Sequence, residues 1–187
     1  IYNKAWSLFT GVKPMPKWFM NLLNTVINLL RSIPFLILIV VVIPLTRLIA
    51  GKAYGSTATI VPLVIAAAPY VARMIESSLL EVDPGVIEAA QSMGASIPEI
   101  IFKVIIPEAK TSLIVGATIS SGTILGYSAM SGAIGGGGLG AIALQRGYAR
   151  NQLIVMYVAV ILLVLLVQVL QTIGTKLATK TDKRITK

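Results

Sequence analysis

Four long apolar runs, at about 33–50, 57–75, 111–130 and 153–173, limit what this chain can become. A hydrocarbon core about 30 Å thick is crossed by ~20 apolar residues in a helix. A helix satisfies its own backbone N–H and C=O groups, which lipid cannot do. An all-α membrane protein is therefore predicted: a bundle of transmembrane helices, four of them in this sequence. Composition agrees, with 56% hydrophobic and 12% charged residues against ~25% charged in soluble domains. The second run holds Pro62 and Pro69, which kink a spanning helix but are tolerated where neighbours satisfy the freed carbonyls. The third is rich in Gly, Ser, Thr and Ala, the residues that let helices approach closely in lipid. The fourth is almost purely aliphatic and is expected to face lipid or a bundle flank.

The net charge of +9 invites a nucleic-acid reading, but its distribution argues against one. Threading the 16 basic residues through four spans leaves Arg47, Lys52, Arg146 and Arg150 on one side and the other twelve opposite. The side rich in Lys and Arg is cytoplasmic. That places both ends and the loop 76–108 inside the cell. The basic tail 175–187 then serves as a topology and headgroup anchor.

The loop 76–108 carries six of the seven acidic residues and two well-formed helix starts. Asp83 is a good N-cap, and Pro84 falls at the first helical position, where a missing N–H costs nothing. Val82 and Ile87 stand at the two positions of a hydrophobic staple. The helix that follows has an apolar stripe at Val86, Ala89, Ala90 and Met93. Gly94 is placed to end it in the left-handed conformation. Ser96 and Glu99 form a capping box for a second helix running through Ile100, Ile101, Val104 and Ile105 to Pro107. A folded hairpin outside the bilayer is the kind of element that is presented to a partner.

The order Glu88-Ala89-Ala90, three residues, Gly94, nine residues, Val104, one residue, Ile106, Pro107 resembles the cytoplasmic coupling loop of ABC importer permeases. The family more often has Ile and Leu where Val104 and Ile106 stand. Arg31-Ser32-Ile33-Pro34-Phe35, Gly126-Tyr127-Ser128-Ala129-Met130 and Gly135-Gly136-Gly137-Gly138-Leu139-Gly140 are similar to the methionine-import permeases, and the similarity covers nearly the whole chain. The resemblance implies a homodimer in a bacterial cell membrane. It also implies ATP-binding subunits on the cytoplasmic face, an extracytoplasmic solute-binding protein, and alternating access driven by the partner ATPase. Glu88, Ala89, Ala90, Met93, Gly94 and Pro107 become the expected ATPase-coupling residues. The family has a further helix before Arg31. Residues 1–32 are thus expected to be a cytoplasmic linker after a missing first span, with 33–174 the transmembrane domain and five spans in the full protein.

The chain has no His and no Cys, which excludes the common triads, zinc sites and disulfides. No carboxylate lies between Glu108 and Asp182, so the last two spans hold no acidic ion relay. No P-loop is present, so ATP hydrolysis falls to the partner, and no metal or cofactor is expected. The run from Gly135 matches G-x-G-x-x-G, but it follows a span rather than a strand, and no acidic residue lies ~20 residues on. It is expected as a flexible external turn or as a docking surface for the solute-binding protein. A path for a small zwitterion needs mild polarity without net charge. Tyr127, Ser128, Met130 and Ser131 supply it, though the same residues could equally pack helix on helix. A sibling importer for phosphonate, an osmoprotectant or another amino acid remains open, as does a secondary transporter.

Overall fold

The computed structural model describes residues 16–182; the start of the expected linker and the last five residues of the basic tail lie outside the described residues. Much of the segment expected as a linker is a helix, α1 (Lys17–Ser32). Trp18, Leu22, Val26 and Leu29 recur along one face of it. Asn21, Asn24, Asn28 and Ser32 occupy the other. Ile33 is extended, with φ −82° and ψ 124°, because the Pro34 ring crowds the residue before it out of the helical region. The chain turns there by 110° into α2 (Phe35–Val41).

The first apolar run is not one rod. α2 and α3 (Ile43–Ala50) are separated at Val42, with φ −90° and ψ 6°. Pro44 has no N–H to offer the Val40 carbonyl, and its ring crowds that carbonyl. The second run fares differently. α4 (Ser56–Leu80) carries Pro62 and Pro69 inside an unbroken helix, and both prolines are buried against neighbours. α4 also continues past residue 75, so the hairpin begins on a rigid stalk.

α7 (Lys110–Ser131) lies between α4 and α9 (Leu153–Thr181) and packs on both. α4, α7 with its following turn, and α9 are each long and apolar enough to cross a membrane. The number rises to four by length and composition only if the bent pair α1–α2 is taken as one broken span. The contacts between these helices rest on small residues. Gly116 lies against Met74 and Ser78, and a Cβ on Gly174 would overlap the Thr118 side chain. Close backbone approach of this kind holds helices together where lipid removes any hydrophobic drive between them. α9 runs on to Thr181, so Lys176 and Lys180 extend the last helix toward the basic side.

The Gly135–Gly140 run, expected as a flexible external turn or a docking surface, is folded back against α7. A 3₁₀ turn (Gly132–Ile134) leads through Gly135 at φ 85° and Gly137 at φ 82° into α8 (Gly138–Ala141), which continues as a π-helical stretch (Ile142–Tyr148). A Cβ on Gly140 would strike the Ala129 backbone, and one on Gly132 the backbone of Gly140 and Ala141. The glycines are there for contact as much as for turning. Gln145 Nε2 donates to the Gly132 carbonyl at 3.1 Å and ties the return to its start.

Candidate coupling hairpin and transport path

The hairpin between α4 and α7 is built as the local chemistry of its sequence dictates. α5 (Pro84–Ser92) starts at Asp83, whose carboxylate accepts from the Gly85 N–H at 2.7 Å. It ends in a full Schellman motif. The Ala95 N–H donates to the Ala90 carbonyl at 3.1 Å and the Gly94 N–H to that of Gln91 at 2.9 Å, with Gly94 left-handed at φ 78°. α6 opens with Ile97–Glu99, widens into a π-helical stretch (Ile100–Ile105) and closes with Ile106–Glu108. The widening precedes Pro107, whose ring could not fit a regular α-helical turn behind it.

The capping box forms at the start of α6. Glu99 accepts from the Ser96 N–H at 3.1 Å, the Ser96 hydroxyl at 2.7 Å and the Lys103 ammonium at 2.8 Å. These donors, Lys103 first and then Ser96, hold the Glu99 carboxyl at a pKa of about 2. It stays ionised throughout the physiological range, and the cap is not a pH switch there.

The hairpin has its own core. Val82, Ile87, Ala90, Ile100, Ile105 and Ala109 are buried together, with Leu79, Ile101, Val104 and Leu113 packed around them. Both staple residues are in this cluster. The buried face of α5 is therefore Ile87 and Ala90; of the apolar stripe Val86, Ala89, Ala90 and Met93, only Ala90 turns into this core and the other three are exposed. Of the six expected coupling residues, Ala90 lies inside and supports the fold. Glu88, Ala89, Met93, Gly94 and Pro107 are on the surface. Met93 is 81% exposed, and Phe102, which the sequence did not single out, is 69% exposed. Its signal was available: Phe102 falls off the stripe formed by Ile100, Ile101, Val104 and Ile105. Pro107 also lines a groove of about 830 Å³ at the root of the hairpin, with Glu81, Glu108, Lys110 and Lys180 on its walls. Among the described residues no group of His, Cys, Asp or Glu could hold a metal ion.

The four residues expected along a transport path are not equivalent. Tyr127 lines a cavity of about 200 Å³ with Arg31, Phe35 and Tyr70, and its ring stacks on Phe35 with centroids 4.7 Å apart. Ser128 and Met130 are exposed. Ser131 is buried; its hydroxyl donates to the Ser128 carbonyl at 2.6 Å, and its own carbonyl accepts from the Gly136 N–H at 3.0 Å. It braces the glycine return. Tyr70, on α4, reaches the same region and accepts from the Thr123 hydroxyl at 3.4 Å.

Comparison with known proteins agrees with this architecture. The sequence model of the family described as "Binding-protein-dependent transport system inner membrane component" matches residues 5–185. The probable D-methionine transport system permease protein MetI of Vibrio cholerae is 51% identical over 162 residues, covering 87% of this chain and 72% of that protein. The methionine import system permease protein MetP of Bacillus subtilis is 44% identical over 164 residues, covering 88% and 74%. Two solved inward-facing forms of the MetNI methionine ABC transporter are similar in structure. One has a TM-score of 0.84 at 45% identity, covering 88% of this chain and 76% of that chain. The other has 0.86 at 41% identity, covering 97% and 84%. Apolar helices long enough to span, a separately cored hairpin at the basic side and a match along nearly the whole sequence lead to one conclusion: the chain belongs to the family of binding-protein-dependent transport system inner membrane components.

Proposed function

We propose that this chain is the membrane-spanning permease subunit of an ATP-driven importer of methionine, working as a homodimer by alternating access. Two ATP-binding subunits dock on the cytoplasmic face, and an extracytoplasmic solute-binding protein delivers the cargo from outside. The observation that carries this reading is the hairpin α5–α6, a folded unit with its own core held on the stalk of α4 and leading directly into α7. A rigid element of this kind passes motion of a docked ATPase to two spanning helices at once. The chain itself supplies no ATPase chemistry. Glu88, Ala89, Met93 and Gly94 form the contact surface, Phe102 extends it, and Ala90 and Pro107 hold its shape. Methionine as cargo is supported by what the named relatives carry. Tyr127, Ser128, Met130 and Ser131 border the path, with Tyr127 best placed to meet a small zwitterion and Ser131 the frame behind it.

The test is reconstitution with the ATPase and the solute-binding protein, followed by methionine uptake and methionine-stimulated ATP hydrolysis. Glu88→Gln separates a docking contact from a helix-dipole role. Glu88 stands beyond the first turn of α5, so loss of the dipole contribution alone is at most the lower end of the ~0.3–1 kcal/mol of an exposed first-turn site. Loss of a desolvated charged contact across an interface is ~2–5 kcal/mol. Uptake is expected to fall by about tenfold or more, while basal hydrolysis by the ATPase persists. A twofold change or less would return Glu88 to the dipole role. Binding of phosphonate or an osmoprotectant, but not methionine, to the solute-binding protein would reassign the cargo.

A further inference from the structure

Helix α1 has no place in a reading based on spans and a coupling loop, yet its construction is specific. Trp18, Leu22, Val26 and Leu29 follow one another at helical spacing, and all four are exposed. Phe19, Ile27 and Leu30 continue the apolar arc toward the body of the protein and are half-buried. The opposite arc is wholly polar, from Lys17 through Asn21, Asn24, Thr25 and Asn28 to Arg31 and Ser32. No acidic residue occurs anywhere in the helix. A water-exposed helix of this length would bury its apolar arc or lose it, since every exposed apolar side chain is a standing cost in water.

Three observations say what covers the arc. First, α1 meets α2 at 110°. If α2 enters the bilayer, α1 lies close to the membrane plane. Second, the polar arc is held on the protein side by Arg73 of α4. Its guanidinium donates to Asn28 Oδ1 at 3.3 Å and Asn24 Oδ1 at 3.5 Å, and pairs with Glu76 at 2.9 Å. The helix is thereby clamped with Trp18, Leu22, Val26 and Leu29 turned away from α4, while Leu30 lines a cavity with Ala66 and Tyr70 of α4. Third, beyond the turn the exposed surface continues as Leu36, Ile37, Val40 and Val41 of α2, so the apolar arc joins a surface of the kind that faces acyl chains. Lys17 and Arg31 stand at the two ends of the helix on the basic side of the protein, and Trp18 stands beside Lys17. Basic residues with an amphipathic aromatic are what the boundary between headgroups and acyl chains selects.

We propose that α1 is an in-plane interfacial helix, its apolar arc sunk at the acyl boundary of the cytoplasmic leaflet, its Lys17 and Arg31 paired with anionic phospholipid headgroups, and its polar arc clasped by Arg73. The clasp ties a lipid-seated helix to the stalk that carries the coupling hairpin, so the stalk has a fixed reference in the membrane plane. The inference rests on the chain's place in a membrane and not on the identity of its cargo.

The absence of native cysteine makes a direct test available. Leu22→Cys, Val26→Cys and Leu29→Cys on the apolar arc, and Asn21→Cys and Ser32→Cys on the polar arc, each carry a nitroxide label in the full transporter assembled with a cysteine-free ATPase. The samples are nanodiscs of phosphatidylcholine alone or mixed with phosphatidylglycerol. Collision with oxygen, which concentrates in acyl chains, is compared with collision with a water-soluble nickel chelate. The expected result is an oxygen-to-nickel ratio severalfold higher at residues 22, 26 and 29 than at 21 and 32. Joint replacement Lys17→Gln and Arg31→Gln should narrow that difference, and phosphatidylglycerol should widen it in the unaltered helix. Nickel dominating at all five positions would place α1 in water and overturn the proposal. Exclusion of both reagents from 22, 26 and 29 would place them under protein, a second copy of this chain included, and would overturn it equally. Uptake measured on the same labelled samples separates the two readings. Uptake with a water-exposed α1 removes only this inference, and an oxygen-rich arc without methionine uptake removes only the cargo.

Discussion

The coupling hairpin and α9 are both helical and both rich in aliphatic residues, yet they are assembled on opposite principles. The hairpin buries Val82, Ile87, Ile100 and Ile105 in a core of its own and turns Glu88, Gln91 and Ser92 outward. Its edges are closed by an N-cap, a Schellman motif and a capping box. α9 has a mean hydropathy of 3.1 in its most apolar stretch, and only 6% of that stretch is buried. The difference lies in the solvent. In water, burying apolar area yields about 25 cal/mol per Å², and orphan backbone groups at helix ends need partners. In lipid, Leu gains nothing by leaving the acyl chains, and helices associate through small residues and close packing.

This contrast can be broken most severely inside the hairpin. Ile100 is 2% exposed, so Ile100→Ala should cost ~2–5 kcal/mol of hairpin stability. Leu162→Ala, on the exposed face of α9, should change bundle stability by no more than about 0.5 kcal/mol. Protease nicking of the loop 76–108 reads the first, and thermal unfolding in detergent reads the second. Equal effects would mean that hairpin and span share one kind of packing.

The next effect sharpens the same contrast from the lipid side. Gly174→Val drives a branched side chain into Thr118 across the α7–α9 contact. Overpacking of this kind costs ~1–3 kcal/mol. Disulfide trapping between cysteines placed on α7 and α9 should slow markedly, while nicking of the hairpin stays normal. Unchanged trapping would show that the two spans are not held by their small residues.

A smaller change probes the hairpin by backbone alone. A Cβ on Gly94 would meet nothing within 4 Å, but the residue sits at φ 78°. Gly94→Val should therefore cost ~1 kcal/mol or more from the left-handed conformation and not from crowding. Membrane insertion is expected to be normal, with the ATPase retained less well through purification. Gly94→Asn, better tolerated in that conformation, should recover part of the loss. Full retention with the Val variant would remove the Schellman turn from the docking geometry.

Much of the hairpin was legible in the sequence because its determinants are local. A carboxylate before Pro84, a glycine after a short helix and Ser96 three residues before Glu99 act within a few bonds of the backbone groups they satisfy. The rotation of α5 was legible in part: the staple of Val82 with Ile87 marks its inward side, whereas the burial of Ala90 alone from the stripe Val86, Ala89, Ala90 and Met93 depends on the facing residues Ile100 and Ile105, which lie outside α5. The break at Val42 and the extended Ile33 had signals in Pro44 and Pro34, which uninterrupted apolar runs concealed. α1 had a signal in the amphipathic period of 17–32, but the segment was expected as a linker and its helix was not read. The inward fold of the glycine run was not legible, because Gly132 and Gly140 are required by backbones that approach only in the finished bundle.

The central claim is that the exposed face of the hairpin is the surface through which the ATPase acts. It is tested most directly at Met93, which is 81% exposed in this chain. With no native cysteine present, Met93→Cys reports accessibility to an impermeant maleimide, with Leu162→Cys as the control in the span. With the ATPase absent, Met93→Cys should label rapidly from the cytoplasmic side. With the ATPase bound, labelling should slow by about tenfold or more, as for a residue buried at the centre of an interface, while Leu162→Cys is unaffected. Equal labelling of Met93→Cys with and without the ATPase would contradict the account.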